Sequence, residues 1–110
     1  MTDEEINLLP TGHDLDVLVS AVFGLAQHPY SSDIAAAWKL IASLERQGLR
    51  LMLDRRGSQG GVLVSKWHAA FSDDATTDYF TADAITAPHA ICRAALKAAV
   101  ACNRAIPKLA

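Results

Sequence analysis

The stretch Leu49-Arg50-Leu51-Met52-Leu53-Asp54 decides the fold. Leucine recurs at every second position, and Arg50, Met52 and Asp54 fall between. Successive side chains of an extended chain point to opposite faces, so this is the period of a half-buried strand. The segment Arg55-Arg56-Gly57-Ser58-Gln59-Gly60-Gly61 then reads as a turn, and a second extended run goes from Val62 to about Phe71. The two are expected to pair antiparallel. In the second run Leu63, Trp67, Ala69 and Phe71 share one side, while Val62, Val64, Lys66 and His68 share the wetter one. Ser72-Asp73-Asp74 is a turn signal, and Thr76 to Ala82, rich in β-branched and aromatic residues, supplies a third strand.

Outward from this meander the period changes to that of helices. Before it, Leu15, Leu18, Val19, Val22, Phe23, Leu25 and Ala26 recur at three- and four-residue steps, predicting a helix from Asp14 to Ala26. A second helix is expected to about Gln47, with Ser31 or Ser32 as its N-cap, Asp33 in its first turn, and Ile34, Ala37, Trp38, Ile41 and Leu44 as its inner stripe. Trp38 is read there as a core anchor between Ile34 and Ile41, and Gly48 as the left-handed residue that ends the helix. After the strands, Pro88 suits a first helical turn and opens a last helix to about Ala105. Its inner face is Ile91, Ala95, Ala98, Ala99 and Cys102, mostly small, and its outer face Arg93, Lys97 and Arg104. Small residues let a helix lie close on a sheet.

The reading is therefore an α+β fold of order α-α-β-β-β-α. A three-stranded antiparallel meander carries packed helices, the last lying flat on the strands. A chain of 110 residues with 51% hydrophobic content has the size of a single domain, residues 1–110, with residues 1–12 an N-terminal arm free to move. The start Met1-Thr2-Asp3-Glu4-Glu5 is acidic where a secretory leader would be basic, and no run of apolar residues is long enough to span a bilayer. A soluble, cytosolic protein is expected. Ten basic against twelve acidic residues, net charge -2, give no bulk field for nucleic acid or an anionic membrane. The cysteines Cys92 and Cys102, ten residues apart in one helix, are about 15 Å from each other and are expected as reduced thiols.

Three stretches together resemble a known family: Gly12-His13-Asp14-Leu15-Asp16-Val17-Leu18-Val19, Tyr30-Ser31-Ser32-Asp33-Ile34-Ala35-Ala36-Ala37-Trp38, and Ala82-Asp83-Ala84-Ile85-Thr86-Ala87-Pro88-His89-Ala90-Ile91-Cys92-Arg93-Ala94-Ala95-Leu96-Lys97. They are similar to the phage ABA sandwich domain family, short products of phages and prophages. The resemblance implies helices layered on both faces of a sheet and a phage origin, and brings no catalytic motif and no established activity. The chain departs from it most in the middle strands and in the loop from Arg55 to Gly61.

Candidate chemistry is sparse. Arg55 and Arg56 beside three glycines suit the approach of a phosphate, but the lysine followed by serine or threonine of a nucleotide loop is missing, and a strand follows where a helix is needed. Trp67, Tyr79 and Phe80 with Arg50 and Lys66 have the composition of a single-stranded nucleic acid platform, although alternation sends Tyr79 and Phe80 to opposite faces. His13, His28, His68 and His89 show no i, i+4 pair of a helical metal site; His68 alone lies in a strand, where Asp78 across the hairpin would orient it as a base. The surface singled out for interaction is Arg55, Arg56, Lys66 and His68. With no catalytic set, cofactor motif or metal motif, the expectation is a non-enzymatic accessory module that binds a protein partner. The alternative is a weak binder of single-stranded nucleic acid.

Overall fold

The alternation from Leu49 becomes the first strand of a three-stranded sheet in the computed structural model, which describes residues 2–56, 66–73 and 78–101. In chain order the elements are α1 (Asp3–Asn7), α2 (His13–Phe23), α3 (Ile34–Glu45), β1 (Leu49–Arg56), β2 (Lys66–Asp73), β3 (Tyr79–Ala84) and α4 (Ala87–Ala101). The α+β class, the meander and the order helix, helix, strand, strand, strand, helix are as expected, with α1 added in front. Among the described residues no helix is long and apolar enough to cross a membrane.

The strands pair antiparallel in the order β1-β2-β3. Leu51 lies opposite Phe71 and Phe71 opposite Phe80; Leu53 opposite Ala69 and Ala69 opposite Ala82. These residues share one face, and Phe71, Ala69 and Ala82 are buried on it. The other face carries the rows Met52, Ala70, Thr81 and Asp54, His68, Asp83. The expected division of β2 holds for its described part, with Trp67, Ala69 and Phe71 inward and Lys66 and His68 outward; Val62 to Val64 lie outside the described residues.

α4 lies against β2 and β3 on the inner face, and α1, α2 and α3 all touch α4 in turn. Ten of its fifteen residues are buried, among them Ala90, Ala94, Ala95, Ala98 and Ala99. The alanines let elements approach from several sides at once, so α4 is buried over much more of its circumference than the single stripe expected. α4 meets the sheet at β2 and β3, and α3 reaches it at β1. A second helical layer across the sheet is not among the described residues, and Cys102 of the expected inner face and Arg104 of the outer one lie outside them.

Two helix readings are corrected. The first helix ends at Phe23, not Ala26, because Gly24 takes the left-handed conformation at φ 64° and its N–H bonds back to the Ser20 carbonyl. In α3 the N-cap is Asp33, whose carboxylate accepts from the Ala35 N–H at 3.0 Å. Ser31, fully buried, accepts instead from the Gly12 N–H at 3.1 Å and donates its own N–H to Asp16 Oδ1 at 2.8 Å, which stitches the connection to the start of α2. The buried face of α3 is Ala36, Ala37, Leu40, Ile41 and Leu44. Trp38 is 57% exposed and Ile34 43%, so Trp38 is not a core anchor. Gly48, at φ 89°, is left-handed as expected.

Residues 2–9, expected as an arm, carry the capping box of α1, in which Thr2 and Glu5 satisfy each other's backbone N–H groups. Ile6 is fully buried in the core. Such burial of an isoleucine stabilises by about 1.5–3 kcal/mol, against which the ordering of a few residues must be set.

Candidate functional site

The outward face of the sheet is the surface that the helices leave open. Met52 is 56% and Tyr79 63% exposed there, and Arg50, Asp54, Lys66, Thr81 and Asp83 are exposed beside them. Ala70, small and in the central strand, is covered by its neighbours.

On this face His68 and Asp83 are cross-strand partners, and His68 Nδ1 lies 2.5 Å from Asp83 Oδ1. The carboxylate accepts, so Nδ1 carries a proton and is the donor. The expected carboxylate was Asp78. The structure supplies Asp83 because β3 begins at Tyr79 and runs to Ala84, two residues beyond the expected end at Ala82. Asn7, His68, Thr81, Ala82, Asp83 and Lys97 line a concavity of about 220 Å³ around the pair. Lys97 Nζ donates to the Thr81 carbonyl at 2.7 Å. Burial lowers the Lys97 pKa, against the nearby carboxylates of Asp3 and Asp83.

The edge of β3 is fixed from the helical side. Arg93 donates through Nη1 to the Asp83 carbonyl at 3.0 Å, and through Nε and Nη2 to the Leu9 carbonyl at 3.2 and 2.9 Å. His89 Nε2 donates to the same Leu9 carbonyl at 2.7 Å. One carbonyl between α1 and α2 thus receives three donors from α4. Burial holds the His89 imidazole below its ordinary value, the bond to Leu9 opposes that, and Arg93 adds to it. This clamp ties the N-terminal segment to the strand that carries Asp83.

The four residues expected as an interaction surface do not form one patch. Lys66 and His68 lie on the open face. Arg56 is the register partner of Lys66 at the end of β1. Arg55 belongs to the opposite face, where its guanidinium carbon sits 6.0 Å from the centre of the Trp67 ring. The glycines of the loop after Arg56 lie outside the described residues. The expected nucleic acid platform is divided in the same way: Trp67 and Phe80 pack against the core, while Tyr79 stays outside with Arg50 and Lys66. Asp54 and Asp83 share that outer face, which dilutes its positive charge.

A second concavity, about 260 Å³, is lined by His13, Asp16, Val17, Gln27, His28 and Pro29. Asp16 is engaged by the Ser31 N–H, and among the described residues no three His, Cys, Asp or Glu side chains come together as a metal site. Cys92 is fully buried in α4, and burial pushes its thiol pKa far up, so it is no nucleophile. The sequence misses Asp83, which one more strand pair past Ala82 reveals, and misplaces Trp38, whose position between Ile34 and Ile41 argues for burial.

A family model described as the phage ABA sandwich domain matches residues 17–96, a span that begins inside α2, includes all three strands and ends inside α4. No curated protein and no solved structure matches the chain.

Proposed function

Because the chain belongs to the phage ABA sandwich domain family, we propose that it is a phage- or prophage-derived accessory module that binds another protein in the cytoplasm of a bacterial host, without catalysing a reaction. The observation that carries this reading is Trp38. A tryptophan 57% exposed, one helical turn from Ile34 at 43%, gives α3 a solvent-facing apolar stripe. Tryptophan contributes disproportionately to protein interfaces, where its large ring is desolvated by a partner. A nucleic acid reading has less support, because the aromatic and cationic residues that it needs fall on two faces of the sheet.

The test uses the full chain as bait in extracts of a lysogenic or phage-infected host, beside the double variant Ile34→Ala, Trp38→Ala. A protein captured by the parent chain and lost with the variant, at unchanged folding stability, is the expected result. No capture above background, with single-stranded nucleic acid retained at low salt and released by Arg56→Ala with Lys66→Ala, would overturn it.

A further inference from the structure

β1 and β3 are the two edges of the sheet, and they are treated differently. On β3 the carbonyls of Thr81 and Asp83 accept from Lys97 and Arg93, so these residues turn their backbone groups away from β2. In an antiparallel ladder the direction alternates, so Phe80 and Ala82 bond to their partners Phe71 and Ala69. Ala70 and His68 therefore turn toward β1, where they meet Met52 and Asp54. That leaves Leu51 and Leu53 with N–H and C=O groups aimed outward along the edge of β1. Among the described residues no segment pairs with that edge. A long strand edge of this kind is a template for pairing.

We propose that β1 pairs with β1 of a second copy, antiparallel about a twofold axis at Met52, to make one six-stranded sheet. The register follows from the residues. Cross-strand partners must share a face, so the axis passes through a residue. With the axis at Met52, Leu51 and Leu53 of one copy exchange backbone bonds with Leu53 and Leu51 of the other on the inner face. On the outer face Arg50 of each copy meets Asp54 of the other, and Met52 meets Met52. An axis at Leu53 would set Arg50 against Arg56 and Asp54 against Met52; an axis at Leu51 would set Arg50 against Met52. Of these three axes only the one at Met52 is charge-complementary, and directly opposed charges of opposite sign stabilise while like charges destabilise. A twofold interface makes each such pair occur twice. This pairing goes beyond the proposed function and does not involve Trp38.

Sedimentation equilibrium of the full chain tests it. The parent is expected to dimerise, to twice its 11.8 kDa. Arg50→Asp and Asp54→Arg, each placing like charges opposite one another twice, should each weaken the dimer about tenfold. The swap Arg50→Asp with Asp54→Arg should restore it, because the pairs are exchanged and not lost. Circular dichroism confirms that each variant is folded. A monomeric parent, single variants that leave the dimer intact, or a double variant as weak as the singles would each overturn the pairing.

Discussion

His68 and His89 each hydrogen-bond through a ring nitrogen, and they act differently. His68 meets a carboxylate on an open surface, whereas His89 is held against the Leu9 carbonyl beside Arg93. Burial lowers the His89 pKa below the ordinary 6.5. The unfolded chain then binds more protons than the folded one between the two values, so stability is complete above the unfolded value and declines as pH falls through it toward the folded value. His89→Gln keeps an N–H donor for Leu9 but does not titrate. Urea unfolding between pH 8 and 5 should show a decline for the parent that is shallower for this variant. Equal slopes would mean that His89 is as free to protonate as in the unfolded chain.

At the scale of elements, the strands were legible because a period of two with one buried face admits little choice: a slip of one residue reverses every side chain. The phases of β1 and β2 were read correctly for that reason. In α3 the period picks out the buried Ala37, Ile41 and Leu44 but also the exposed Ile34 and Trp38, and it misses Leu40 and Ala36, the latter too small to announce a core face beside Trp38. α1 is only five residues long, below the length that periodicity detects, although Thr2 and Glu5 have the spacing of a capping box. His68 was found and its partner was not, since the site depends on where β3 ends. α4 was placed correctly but taken to be buried on one stripe. Ala95→Leu should overpack it and cost about 1–3 kcal/mol. Lys97→Leu, neutral if Lys97 were solvated, should instead cost about 1 kcal/mol, because the Thr81 carbonyl loses its donor. Urea midpoints measure both, and an unchanged midpoint for Lys97→Leu would remove the lysine from the β3 edge.

For the whole molecule, the arrangement turns on α4 as the hub between three helices and the sheet. Gathering the helices on one side buries Phe71, Ala69 and Ala82 and leaves Met52, Thr81 and Tyr79 on the other. The family name implies a sandwich; what the described residues build is one covered face and one open one. Side-chain NMR with a soluble paramagnetic relaxation agent reads this face by face. The methyl groups of Met52 and Thr81 should relax strongly, and those of Ala69, Ala82 and Ala95 should be protected. Equal protection of Met52, Thr81, Ala69 and Ala82 would contradict the account, since it would mean that something covers both faces of the sheet.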